Sequence, residues 1–141
     1  MPITVRAATA EDAAELARMN LIFNGVTDSP AQLRERLADP RRVETPLLAE
    51  VEGRAIGFAA VRVAPGLFYA APRAELTELF VEEAYRRQGV GGALVACAER
   101  VARESGAEEL WALTSPANKL ARALYQARGY VVDDLAFRKT M

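Results

Sequence analysis

The chain contains no histidine and a single cysteine, Cys97, and these two shortages remove most familiar catalytic chemistries. Without imidazole there is no His–Ser or His–Cys nucleophile pair, and the side chains that ordinarily hold zinc are almost missing, so no metal is expected. One thiol also excludes an internal disulfide. Lysine is scarce: of 18 basic side chains only Lys119 and Lys139 are not arginine. Set against 19 acidic residues, this leaves a net charge of −1 and no field for gripping nucleic acid. No apolar run approaches the length that spans a bilayer, and the segment Met1 to Arg6 lacks a basic stretch followed by an apolar one. The expectation is a cytoplasmic protein with neither nucleic acid nor membrane as partner.

What is present suits one folded unit. At 141 residues the chain is near the modal domain size, and 51% hydrophobic with 26% charged residues is ordinary for a domain with a sizeable core. A single domain over 1–141 is therefore expected.

Ile3, Val5 and Ala7 alternate with Thr4 and Arg6 and predict a short strand. Thr9, followed by Glu11 and Asp12, opens a helix bearing Ala13, Leu16 and Ala17. Ser29-Pro30-Ala31-Gln32 has the form of a capping box with proline at the first helical position, and Asp39-Pro40 stops that second helix. From Pro46 the period changes to two, giving a hairpin from Leu47–Val51 through Gly53 to Ile56–Ala60, then a third sheet segment over Arg73–Val81. Val90, Leu94, Ala98 and Val101 repeat as a helix that ends at Ser105-Gly106. Cys97, between Ala96 and Ala98 in that helix, reads as a small core hydrophobe. Leu110–Leu113 predicts a buried strand, 117–128 a helix ended by Gly129, and Tyr130–Asp133 with Leu135–Lys139 two closing strands. Sequential strands interrupted by single helices favour a mixed sheet with helices on both faces.

The stretch richest in chemistry is Arg86-Arg87-Gln88-Gly89-Val90-Gly91-Gly92, between a strand and a helix. Glycines permit close backbone approach, and the unpaired amides of a helix start attract anions. By local pattern this is equally a phosphate cradle and a plain glycine-containing turn with exposed arginines. No Lys-Ser or Lys-Thr follows the glycine pair, and the spacing is not that of a dinucleotide fingerprint.

Leu79-Phe80-Val81 followed by Arg86-x-x-Gly89-x-Gly91 resembles the acetyl-CoA signature of the GNAT superfamily of N-acetyltransferases. Asn118, Ala121, Leu124-Tyr125 and Gly129-Tyr130 resemble the family's C-terminal motif, and the element order matches over nearly the whole chain. The resemblance implies an α/β (α+β) fold: a mixed, mostly antiparallel sheet splayed at the cofactor site and flanked by about four helices. It implies a bulged strand at Leu79–Val81, whose backbone at Leu79 and Val81 binds the thioester carbonyl and pantetheine amides, with Phe80 between them. The Arg86–Gly92 loop, through the amides of Arg87, Gln88, Gly89, Val90, Gly91 and Gly92, would take the pyrophosphate. Asn118 would bond the pantetheine arm, or else cap a helix. Tyr125 would protonate the leaving thiolate.

An amine nucleophile is mostly protonated at neutral pH, so a base is needed, and without histidine the candidates are carboxylates or a relayed water. Glu75 and Glu78 lie on the approaching strand; alternation puts them on opposite faces unless a bulge intervenes. Glu78 is preferred for its closeness to Leu79. The family commonly builds its acceptor pocket from the regions holding Phe23, Asn24, Asp28 and the Phe68-Tyr69 loop. The resulting expectation is an N-acetyltransferase moving an acetyl group from acetyl-CoA to a small-molecule primary amine by direct attack in a ternary complex. A non-catalytic acyl-CoA sensor and a protein or peptide N-acetyltransferase are the alternatives. The acceptor is unnamed by the sequence: polyamine, amino acid, aminoglycoside-like antibiotic and peptide N-terminus all fit. Relatives pair through their final strands, which implies a homodimer.

Overall fold

A computed structural model describes residues 2–141. The chain opens with strand β1 (Ile3–Ala7), a single 3-10 turn (Ala10–Asp12) and helices α1 (Ala13–Asn24) and α2 (Pro30–Ala38). Strands β2 (Glu44–Val51), β3 (Arg54–Ala64) and β4 (Arg73–Val81) follow, then a 3-10 turn at Glu83–Tyr85, helix α3 (Val90–Glu104), strand β5 (Leu110–Ala112) and helix α4 (Lys119–Ala127). The five strands lie in sequence order; the first three pairings are antiparallel and β4–β5 is parallel. This is the mixed, mostly antiparallel sheet with four helices that the resemblance implied. Among the described residues no helix is long and apolar enough to cross a membrane.

Local signals account for most element ends. Ser29 accepts the Gln32 amide at 3.1 Å while Gln32 Oε1 accepts the Ser29 amide at 2.8 Å, the reciprocal box that the sequence pattern predicts. Thr9 starts a 3-10 turn rather than α1 itself: its N–H donates to Asp12 Oδ2 at 2.8 Å, and α1 begins one turn later. Gly25, at φ 68°, ends α1 in the left-handed region that a side chain resists.

The sheet buries both faces. One face carries Leu47, Ala59, Val61 and Leu76 against Leu94, Val95 and Ala98 of α3. The other carries Leu48, Phe58 and Phe80 against Leu16 and Met19 of α1. In β4 the alternation changes parity part-way: Leu76 faces α3, yet so do Leu79 and Val81, while Phe80 faces α1. The cause is a bulge. Val61 pairs with Leu76 and Ala60 with Glu78, so Thr77 is the extra residue. The bulge expected at Leu79–Val81 thus sits just before that stretch.

The two closing strands expected over Tyr130–Asp133 and Leu135–Lys139 are not formed. Residues 131–141 run exposed, with Val131, Val132, Leu135 and Phe137 each more than 80% accessible. A period-two pattern describes how a strand divides its faces and does not supply the neighbour that satisfies its backbone; a hairpin alone in water is marginal.

At Gly57 on β3 the β4 backbone leaves no room for a side chain, since a Cβ there would lie 2.7 Å from the Phe80 carbonyl oxygen. Gly57→Ala is expected to lower stability by about 1–3 kcal/mol through overpacking against backbone that cannot yield. Urea unfolding monitored by Trp111 fluorescence should show a lower midpoint with an unchanged slope.

Candidate active site

The site begins where the sheet parts. β5 pairs with β4 only over Ala74, Glu75 and Leu76, so from the bulge onward β4 runs on to Val81 with β3 alone beside it. The Glu82 N–H donates to the Ile56 carbonyl at 2.9 Å. Antiparallel alternation then puts Phe80 and Glu78 in hydrogen-bonded pairs with Phe58 and Ala60, and turns the N–H and C=O of Leu79 and Val81 to the splayed edge. The Val81 carbonyl accordingly accepts Arg86 Nε at 2.9 Å from that side. The Leu79 amide and carbonyl and the Val81 amide have no sheet partner there among the described residues.

At the far end of this edge is the start of α3. Gly89 at its N-cap has φ 87° and no side chain with which to cap the helix; Arg87 is also left-handed, at φ 62°. The first intrahelical bond is Ala93 N–H to Gly89 C=O at 3.0 Å, so the amides of Val90, Gly91 and Gly92 have no acceptor within the helix. Uncapped amides with a helix dipole behind them form an anion site. Gly91 has a second duty, because a Cβ there would stand 3.0 Å from Leu124 of α4. Gln88 instead folds onto the preceding turn, its Nε2 donating to Ala84 O at 3.3 Å.

Edge and helix start share one cavity of about 350 Å³. Leu79, Phe80 and Val81 wall it from β4, Arg86, Arg87, Gly89, Gly91 and Gly92 close one end, and Asn118, Ala121 and Leu124 of the α4 region face them, while the side chains of Gln88 and Val90 stand outside the lining. Phe23 of α1 also reaches it, so the space passes from the α3–α4 side of the sheet to the α1 side. Asn118 does cap α4, its Oδ1 accepting Ala121 N–H at 3.1 Å, which leaves its Nδ2 for the cavity. These donors suit a phosphate at one end and amide or carbonyl groups along the edge, the chemistry of acetyl-CoA.

The bulge decides how the carboxylates stand. With Thr77 inserted, Glu75 and Glu78 both fall on the α1 face rather than on opposite ones. Glu75 is engaged by Arg62 across the β3–β4 pair. Among the described residues Glu78 has no salt-bridge partner; Asn24 Nδ2 donates to its Oε2 at 3.3 Å. Burial pushes the Glu78 carboxyl up, the Asn24 bond pulls it down, and the nearby Glu44 carboxylate pushes it up again, with a net rise above the ordinary glutamate value. Glu44, on β2, accepts the Thr77 hydroxyl. No sequence signal points to it, because 33 residues separate it from Thr77 and only sheet pairing brings them together.

The remaining expected residues divide. Phe23 packs on Phe80 and Phe58, with ring centroids 5.4 and 6.1 Å away. Asp28 is tied to Arg36 of α2 at 2.8 Å, and Tyr69 stands exposed on the β3–β4 loop, so neither lines the cavity. Tyr125 is buried one residue beyond Leu124, its ring 5.5 Å from Tyr130 and outside the cavity lining. Burial pushes its phenol up to about 12. Tyr130 is anchored in turn, donating to Glu99 at 2.8 Å, while Arg128 Nη2 donates to the same carboxylate at 2.9 Å. Burial alone would raise the Glu99 carboxyl, but these bonds outweigh it and hold it below the ordinary value.

The chain matches the acetyltransferase (GNAT) family over residues 11–130. It is 30% identical over 138 residues to an uncharacterised N-acetyltransferase of Bacillus subtilis (strain 168), covering 93% of this chain and 91% of that one. It is 29% identical over 131 residues to an aminoglycoside N(6')-acetyltransferase type 1 of Stenotrophomonas maltophilia, covering 90% and 85%. Among solved structures, AAC(6')-Iy in complex with the bisubstrate analogue CoA-S-monomethyl-acetylneamine has a TM-score of 0.85 over 100% of this chain and 99% of that one. At 22% identity that likeness speaks for the fold.

Gly89 provides the cleaner test of the helix start, because nothing lies within 4 Å of its Cβ position whereas Gly91 also packs on Leu124. Gly89→Val should cost about 1–2 kcal/mol of stability through its left-handed backbone. The same change should weaken CoA binding roughly tenfold or more, equivalent to about 1.4 kcal/mol or above by calorimetry. Unchanged affinity would remove the loop from the binding site.

Proposed function

The chain belongs to the acetyltransferase (GNAT) family and is an N-acetyltransferase, and on that premise we propose that it acetylates a primary amine of a small molecule by direct attack on acetyl-CoA in a ternary complex. The observation that carries this reading is the cavity at the splayed edge, lined by backbone donors and a helix start, with the Glu78 carboxylate on the neighbouring residue of β4, on the face that Phe23 reaches and with no salt-bridge partner among the described residues. The aminoglycoside acetyltransferase among the relatives supports a small amine as acceptor.

In this reading the amides of Val90, Gly91 and Gly92 hold the pyrophosphate of acetyl-CoA, and Asn118 Nδ2 with the free groups of Leu79 and Val81 holds its pantetheine arm. Glu78 takes a proton from the acceptor ammonium, and the amine nitrogen then bonds to the thioester carbon. The outward N–H at the splayed edge steadies the negative oxygen that develops. The C–S bond breaks, the thiolate leaves, and the Tyr125 phenol, protonated at neutral pH and just behind Leu124 of the lining, supplies through water the proton that yields the free thiol. The second proton that the nitrogen sheds on becoming an amide passes to solvent, from which the phenol is restored. Glu75, already engaged by Arg62, is the weaker candidate for base.

The homodimer is also part of the proposal. The outer edge of β5 has no partner among the described residues, and a cavity of about 340 Å³ opens beside it between Glu99, Trp111 and Val131. The exposed segment 131–141 carries apolar side chains for such a cavity, and its Arg138 and Lys139 suit Glu108 and Glu109 at the edge. The segment of each copy would add to the β5 edge of the other.

An acceptor panel should release free thiol from acetyl-CoA only when an amine is present; tight CoA binding without turnover on any amine would favour the sensor. Glu78→Gln should lower kcat/KM by about a hundredfold or more and remove its acidic limb, with Glu75→Gln far milder. Equal losses would redirect the base assignment. In sedimentation velocity the full chain should run as a dimer, and both Phe137→Asp and a chain ending at Tyr130 as monomers. A monomeric full chain would end the pairing proposal.

A further inference from the structure

The last turn of α1 is held in two ways that converge on one side chain. Gly25 ends the helix, and Phe23 fixes its final turn to Phe58 and Phe80. Asn24, the residue between, is solvent-exposed, yet both N–H groups of its amide are used. One donates to Asn20 Oδ1 at 2.7 Å, one turn back on the same helix, and the other to Glu78 Oε2 at 3.3 Å. The Asn20 bond fixes which end of the Asn24 amide faces the carboxylate: it is the donor end.

The other elements around Glu78 offer no substitute. From β2 comes the Glu44 carboxylate, a like charge that accepts the Thr77 hydroxyl. Arg62, on β3, is turned to Glu75. The facing β3 residue is Ala60, which has no polar side chain. Among the described residues Asn24 is the one side chain that donates to Glu78.

We propose that Asn24 is a positioning residue for Glu78: locked by Asn20, its amide holds Oε2 and leaves Oε1 to take the acceptor's proton. This rests on the reading of Glu78 as the base, and it moves Asn24 from the acceptor contacts to the support of that base. A donated N–H stabilises the carboxylate form and opposes both burial and Glu44. Glu78 works only when ionised, so removing the donor raises its pKa and carries the acidic limb of kcat/KM to higher pH. The alkaline plateau is kept.

Asn24→Leu, Asn24→Gln and Glu78→Gln test this in two measurements. The first is the pH dependence of kcat/KM for the acceptor at saturating acetyl-CoA. The second follows the Glu78 carboxyl carbon by NMR in 13C-glutamate-labelled protein, the signal being identified by its loss in Glu78→Gln. In Asn24→Leu both should move up by about half a pH unit to one, the range one net hydrogen bond covers. The KM for acetyl-CoA should hold, and Asn24→Gln, which keeps a donor, should recover part of the shift. An unmoved Glu78 signal, or a raised acceptor KM with the limb in place, overturns the proposal and returns Asn24 to the acceptor contacts. A moved signal with an unmoved rate profile, together with an intact limb in Glu78→Gln, overturns the base reading instead.

Discussion

One extra residue in one strand, Thr77, conditions nearly everything else in the site. Before it, β4 has a neighbour on each side; at it, the pairing to β5 stops, and beyond it the Leu79 and Val81 backbone groups face open space. A bulge leaves its residue without a ladder partner and turns the strand, so the sheet parts at that point and a cavity takes the place of a continued β4–β5 run of hydrogen bonds. The same insertion reverses the parity of the side chains. Leu79 and Val81 then face α3, while Phe80 turns to the aromatic cluster under α1. Glu78 turns with Phe80, onto the face that already carries Glu75, and meets the end of α1. Geometry and electrostatics of the site thus share one cause.

The two sides of the sheet then divide the labour. On the α3–α4 side the donors are backbone amides, which cannot titrate, and glycine leaves them uncovered. On the α1 side the groups are titratable and compete: Glu78 is desolvated, repelled by Glu44 and relieved by Asn24. A chain with no histidine has few ways to produce a base near neutral pH. Burial raises the Glu78 carboxyl above its ordinary value and a single amide limits that rise, using only residues present here.

Several features are legible in the residues alone. The Ser29–Gln32 box, the α3 stripe from Val90 to Val101 and the Gly89 helix start depend on residues a few positions apart, and each forms where local chemistry puts it. Asn118 is legible in both roles, cap and cavity lining, because one amide can accept at one end and donate at the other. The closing strands mislead for the complementary reason. Alternation over Tyr130–Lys139 is real, but a strand is a relation between two segments, and here the second lies outside the pairing of this sheet.

By itself the sequence determined the family, the order of elements, the glycine-rich helix start and the absence of any imidazole chemistry, because these are properties of residue type and short spacing. Only the tertiary structure decided where the bulge falls, which carboxylate is already engaged by an arginine, and that Glu44 and Asn24 meet Glu78 from 34 and 54 positions away. Those outcomes follow from strand register and from the docking of α1. Register is set by the fit of whole faces across the sheet, and a one-residue shift, which no local pattern records, moves every side chain beyond it to the other side.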